Sequence, residues 1–194
     1  MKVSTEAIST WAPDFVASIR RHYTGSRGAP PGKKMAWRIK EDGRVVGFIG
    51  LGEPSYKLAP RRALQGRTEE EEEILAGARP LPHTVGLFIY RLEGHHETTA
   101  SAILRAWEPH ALSEWETRYG WTPEHLETMI GQGEEVAGYC FRRSGWRSIG
   151  HTTGRGARRP PGATHSPRIW MDTTPKLVLY RGHLARKPRI KANA

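Results

Sequence analysis

The sequence predicts an α/β fold with a mixed sheet flanked by helices, and three observations carry that reading. Residues 35–52 give a β-hairpin signal, two apolar runs joined by Glu-Asp-Gly-Arg. "HTVGLFIYRL" is a nearly continuous apolar run, the pattern of a central strand buried on both faces. Between residues 84 and 150, strand and helix patterns then alternate as two consecutive β-α-β passages, which belong in a layered α/β domain.

The elements follow in order. "TWAPDFVASIRRHYT" reads as a helix over residues 10–24, capped by Thr10 or Asp14, with Phe15, Val16 and Ile19 as its apolar stripe. "GSRGAPPGKK" is a loop by its Gly and Pro content, and the hairpin comes next. "PSYKLAPRRALQGR" is ambiguous. "TEEEEEILAGAR" reads as a short helix with Thr68 as cap and its acids near the positive end of the helix dipole. After the long strand, Ala100, Ile103, Leu104 and Trp107 keep helical spacing; Pro109 is expected to end or break that helix, with a shorter one closing at Gly120. "HLETMIG" is a strand, "EEVAGYCFRRSG" a helix, "WRSIGHT" a strand and "KLVLYRGHL" a late strand. The expected organisation is one domain over residues 1–183, its core at about 20–156, and a basic flexible tail at 184–194.

Composition narrows the class. The chain has 194 residues, 37% of them hydrophobic, with 21 glycines and 14 prolines, which suits a compact core with long polar loops. Its one cysteine excludes an internal disulfide and any metal site built on cysteine pairs. No apolar run approaches the roughly 20 residues of a membrane helix, and the N-terminus has no signal-like apolar region. The expectation is a soluble, cytoplasmic protein with no membrane partner.

The net charge of +10 is unevenly spread. From Arg142 onward, thirteen Lys or Arg residues face one acid, Asp172, whereas the preceding 141 residues hold 17 basic and 19 acidic residues. A solvated surface mixes signs more evenly, so this basic, irregular C-terminal region predicts a polyanion partner.

Four stretches carry a family resemblance. "PPGKKMAWRIKEDGRVVGFIGLG", "ASAILRAWEPHALSEWETRYGWTPEHLET", "GYCFRRSGW" and "IGHTTGRG", together covering about residues 20–156, resemble in order and spacing the GNAT-like acyltransferase superfamily. Within it the chain is most similar to the phage Mom DNA-modification proteins and the DruA antiphage domain. The resemblance implies a sheet splayed between two central strands, a group donor bound in the cleft, and transfer of an acyl-type group to an amine of a DNA base, or to a group on a hypermodified base. The chain departs from the pattern at Phe141, where family members commonly carry a Tyr able to donate a proton. It departs again at Ile130-Gly131, where an Asp often ends the strand; the available carboxylate there is Glu127. The turn "RLEGHHETTAS" has a single glycine where acetyl-CoA enzymes use a Gly-rich pyrophosphate turn, so the donor is left unassigned.

The candidate residues follow. Glu127 or His96 would deprotonate the amine, and Ser101 or Tyr139 would supply a hydroxyl. Tyr139 is two residues from Phe141, about 200° around a helix, so it does not simply take that position. Arg91 ends a buried strand and is either paired, for instance with Glu127, or reads a ligand anion. His95, Glu97, His22 and Tyr23 join Arg91 as donor- or substrate-binding candidates. Adjacent histidines rarely share one ion, so no metal site is assigned. Cys140, flanked by aromatics, reads as a small core residue. Arg142, Arg143, Arg147, Arg155, Arg158 and Arg159, with Lys33 and Lys34, are the expected DNA-backbone contacts, because arginine forks suit phosphate oxygens. Two other readings stay open: a DNA-binding or defence-complex module that has lost the chemistry, and an acetyl-CoA-dependent N-acetyltransferase acting on a small amine or a protein.

Overall fold

A computed structural model describes residues 2–21, 29–93, 98–131, 135–153, 155–158, 169–172 and 175–185. The elements are β1 (Val3–Ile8), α1 (Pro13–Arg21), β2 (Lys34–Glu41), β3 (Arg44–Gly52), a 3-10 turn (Ala59–Ala63), α2 (Glu69–Ala76), β4 (Thr84–Leu92), α3 (Ala100–Tyr119), β5 (His125–Gly131), α4 (Glu135–Arg143), β6 (Arg147–His151), β7 (Arg155–Arg158), β8 (Ile169–Asp172) and β9 (Lys176–Arg181). Seven strands form one mixed sheet in the order β1-β2-β3-β4-β5-β9-β6, and β7 and β8 pair as a separate ribbon. Among the described strands of this sheet, only β4 and β5 run parallel; the other neighbouring pairs are antiparallel.

Most local signals act as the residues dictate. The hairpin turns at Asp42 and Gly43, whose φ values of 48° and 83° fit a two-residue turn with both central residues left-handed. Thr68 caps α2 by accepting from Glu71 N at 3.1 Å. Gly120, with φ of 77°, ends α3. Three features differ from expectation. The sheet extends past residues 20–156 at both ends, since β1 edges it and β9 sits inside it. β1 escapes a sequence reading because "VSTEAI" is short and half exposed, paired only along β2. Pro109 does not break α3, which is one helix of 20 residues. Its apolar face is buried on both sides of the proline, through Ile103, Leu104 and Trp107 before it and Ala111 and Trp115 after it. That packing outweighs the one hydrogen bond the proline cannot make.

The sheet is covered on both faces. α3 and α4 lie over one, where Trp37, Ile49, Val85, Leu87, Leu104, Trp107, Trp115, Leu126, Phe141 and Leu179 form the main core. On the other face α1 packs Phe15 and Ile19 against Phe48 and Ile89, while the 53–83 segment brings Leu58, Leu64 and Leu75 onto Ile149, Val178 and Tyr180. Ion pairs pin α1: Arg38 on β2 holds Asp14, and Glu93 just after β4 accepts from Ser18 and Arg21 at 2.8 Å each. Among the described residues no helix is long and apolar enough to cross a membrane.

Candidate functional site in the cleft between β4 and β5

Strands β4 and β5 pair only over Thr84–Leu87 and His125–Thr128. Thr128 Oγ1 donates to Leu87 O at 3.0 Å, a side-chain tie at the last shared rung. The register with β3 then shifts, with Gly50 opposite Ile89 and Leu51 opposite Leu87, so Phe88 is the extra residue of a bulge on β4. Gly50 makes the bulge possible: a Cβ there would lie 2.5 Å from the Phe88 ring. Beyond the bulge β4 runs on to Leu92 and β5 to Gly131 with no pairing between them, and the sheet opens into a wedge.

The wall of the wedge is built from α3 and α4. Thr99 caps α3, its hydroxyl accepting from Ala102 N at 3.3 Å. Tyr90 Oη donates to Ala100 O at 2.7 Å, and its ring meets Phe141 edge-on at 5.7 Å. Phe141, 4% exposed, in turn packs edge-on against Trp146 at 5.2 Å. Ser144 Oγ donates to Cys140 O at 2.8 Å and to Ser101 O at 3.0 Å, stitching the end of α4 to the start of α3. Burial, with the neighbouring Cys140 adding to it, holds the Tyr90 phenol well above its ordinary range. Burial also raises the Cys140 thiol, so at neutral pH it is a protonated core group. The Tyr90 hydroxyl thus stays protonated, with its proton held by Ala100 O, on an aromatic cluster where Phe141 has no hydroxyl.

The residues singled out from sequence fall into separate places. Glu127 is on β5 but faces away from α3: Arg61 binds both its oxygens, and the two side chains are 1% and 7% exposed. The pairing considered for Arg91 with Glu127 is not formed. Arg91 lies on the α1 side, donating to Glu93 at 3.1 Å and to Arg21 O at 2.7 Å. Its partner was hidden because Glu93 is two residues away in sequence, on the segment leaving the strand. Ser101 lies in the first turn of α3 with its hydroxyl 3.4 Å from that of Thr99. Tyr139 is 56% exposed, under the Arg143 guanidinium at 5.7 Å. His22, Tyr23, His95, His96, Glu97 and Arg159 lie outside the described residues. Arg155 and Arg158 are on β7, whose side chains also lie outside them.

The remaining basic candidates do not form one patch. Register places Lys34, Gly52, Gly86, Glu127, Tyr180 and Arg147 along one row across the sheet. Lys34 and Arg147 are thus five strand spacings apart, about 24 Å. Lys33 and Lys34 lie over aromatic rings, the first near Tyr119 and Trp121 and the second near Trp11. Arg142 and Arg143 are exposed at the end of α4, and Arg147 stacks on Tyr180 at 5.2 Å. Tyr90 is the residue the sequence reading missed. Its position inside the apolar strand pattern signalled core, and nothing local marks the hydroxyl's reach to α3.

A seven-stranded mixed sheet that splays between two parallel central strands, with a long helix starting at the opening, decides the architecture. The fold is that of the GNAT acetyltransferases. Solved GNAT structures align over nearly the whole chain. An aminoglycoside N-acetyltransferase matches with a TM-score of 0.52 at 11% identity, covering 94% of this chain and 97% of its own. A spermidine N-acetyltransferase from Vibrio cholerae gives 0.51 at 8% identity, covering 92% of each chain. A GNAT family acetyltransferase from Elizabethkingia anophelis with acetyl-CoA bound gives 0.50 at 9% identity, covering 93% and 98%. No protein-family model matches the sequence, and no curated protein matches it. At these identities the likeness is one of GNAT fold, carried by topology and not by shared side chains.

Proposed function

We propose that the protein is an N-acyltransferase that takes an acyl thioester of coenzyme A in the β4/β5 cleft and passes the acyl group to an amine. The parting of the parallel pair after Leu87 and Thr128, at a bulge and beside the start of a 20-residue helix, supports this above all else. A pantetheine arm carries amides, and the edge of β4 past Leu87, which no strand among the described residues covers on the β5 side, suits it. The first-turn N–H groups and the dipole of α3 suit a diphosphate. When bound, the thioester supplies an acyl carbon that a neutral amine attacks, giving an amide and a free thiol. The chain's own groups divide the proton work. Tyr90 is the proposed donor to the departing sulfur: its hydroxyl would turn from Ala100 O to the thiolate, and Phe141 has none to give. His96, in the segment joining β4 to α3, is the proposed base. Glu127 is a poor base, with both oxygens engaged by Arg61 on the far side of the sheet.

The amine of a DNA base is the second reading of the acceptor, as the Mom-like motifs imply. The thirteen basic residues against one acid after Phe141 favour it, as does the exposure of Arg142 and Arg143. One assay separates the cases. Thiol release from acetyl-CoA and longer acyl-CoAs is followed with polyamines, aminoglycosides, peptides or duplex DNA as acceptor, and products are identified by mass. Acylated nucleosides select the DNA reading, and an acylated free amine with unaltered DNA removes it. Folded protein that binds no acyl-CoA in calorimetry sinks the proposal as a whole.

A further inference from the structure

At the other end of the sheet, away from the cleft mouth, Glu124, His125 and His183 come together. Each offers one ligand atom, and these atoms lie within 4.8 Å of one another. The register explains the meeting. β9 runs antiparallel beside β5, with Arg181 opposite Leu126, so the turn leaving β9 passes the residues that open β5. Gly182 lets that turn close against them, because a Cβ there would lie 2.4 Å from Tyr180 Oη and 2.9 Å from His125 Nδ1. The rings of His125 and His183 are then 4.8 Å apart.

We infer that Glu124, His125 and His183 form a binding site for a zinc-type divalent cation, a site separate from the acyl-transfer cleft. The donor set fits this class of ion. Two imidazoles with one carboxylate suit zinc and its late transition-metal neighbours, whereas calcium and magnesium ask for oxygen cages. The spacing fits as well: tetrahedral zinc holds N and O ligands roughly 3.4 Å apart, so the widest separation of 4.8 Å closes with about 0.7 Å of movement at each atom. Glu124 and His183 are exposed and free to make that movement, while buried His125 is the fixed ligand.

Groups behind the ligands are already placed. His125 Nδ1 is 2.7 Å from Tyr180 Oη, so Nε2 is the nitrogen that would bind the ion. The Tyr180 ring is inclined by 26° to the His125 ring, the Arg147 guanidinium lies 5.2 Å from its centroid, and the residue is 1% exposed. His83 Nδ1 is 3.0 Å from Glu124 Oε1, and its ring stacks on Trp121 at 5.3 Å. One carboxylate oxygen is thereby oriented and the other is left for the ion. Such supporting hydrogen bonds are what hold imidazole and carboxylate ligands in register around zinc. Three protein ligands also leave a fourth position for water or for a group brought by a partner.

The test uses the full chain, free of any histidine tag and stripped with a chelator. Zinc chloride titrated in a calorimeter is expected to bind one ion per chain with a dissociation constant of about 1 μM or below. Cobalt chloride is expected to give the visible absorption of a four-coordinate ion. His183→Gln and Glu124→Gln alter exposed side chains and should keep the metal-free unfolding temperature. Each should weaken zinc binding at least about tenfold and abolish the cobalt spectrum. The inference is overturned by the lack of a saturable one-to-one event up to about 100 μM zinc. Undiminished affinity in both variants overturns it equally, because the ion would then sit elsewhere. These readouts need no acyl transfer, so they stand or fall independently of the proposed activity.

Discussion

Arg61 grips Glu127 through two parallel hydrogen bonds, Nε to Oε1 at 2.8 Å and Nη2 to Oε2 at 2.7 Å, and both side chains are cut off from solvent. Arg61 uses its remaining donors on the carbonyls of Ser55, Ala78 and Tyr56, at 2.7, 2.9 and 3.4 Å. One guanidinium therefore fastens the 53–83 segment to the middle of β5.

Removing either partner alone strands a buried charge. Arg61→Met or Glu127→Leu should destabilise the protein by about 3–5 kcal/mol in urea unfolding, and the double replacement should recover part of that loss. Glu127→Gln, where it folds, should keep thiol release within about tenfold of wild type, whereas loss of a general base costs about 10²–10⁴-fold. A collapse of turnover in a folded Glu127→Gln protein would return Glu127 to the role of base.

Tyr90→Phe removes one hydroxyl and leaves the edge-on contact with Phe141. Stability should fall by about 1 kcal/mol, the worth of one hydrogen bond to Ala100 O. Turnover should fall by about 10²-fold or more if Tyr90 gives the proton. Tyr139→Phe, at an exposed position under Arg143, should change neither. Equal effects of the two substitutions on turnover would contradict the assignment.

Acid should loosen α1 before the rest of the fold. Donation from Arg38 lowers the Asp14 carboxyl below its ordinary 3.8. For Glu93, burial alone would raise the carboxyl, but donation from Arg21 and Ser18 outweighs it and the net value falls below 4.5. Carboxyls depressed in the folded state contribute stability that is complete above their unfolded values and lost as pH drops through the folded ones. Unfolding temperature should thus hold from pH 7 to about 5 and decline below about 4.5. Asp14→Asn should flatten part of that decline; an unchanged profile would show that these pairs are not linked to folding.

Pro109 sits on the exposed side of α3 and lacks the N–H that would reach Arg105 O. Pro109→Ala should raise stability by about 1–3 kcal/mol, since the helix already runs through the position and only the missing bond and ring crowding are corrected. A lower unfolding temperature would mean that the proline shapes a bend which the Trp107 and Trp115 contacts require.

What the sequence discloses here is periodicity, and what it hides is partnership. The hairpin, the Thr68 and Gly120 caps and the long β4 strand are local, and their residues announce them. The order of strands and helices carries the mixed α/β reading, and the quoted motifs in that order carry the GNAT-like resemblance. Arg61 had no such signal: it stands in the ambiguous "APRRA" run, and its carboxylate is 66 residues away. The Phe88 bulge is equally silent, because one extra residue leaves an apolar run looking continuous. Side chains such as Tyr90 and His125 acquire their roles only through contacts across strands, which no spacing rule reports.

The placement of β9 between β5 and β6 has a consequence for how the chain is made. While residues up to 151 emerge during synthesis, β5 and β6 exist without the strand that joins them, and their apolar faces and backbone edges stay open. The last sheet strand must slot between two earlier ones, a late step of high contact order. Fragments that stop short of residue 176 should be captured by chaperones or aggregate, so the usable window for truncation, permutation or fusion lies outside the span from Val3 to Arg181.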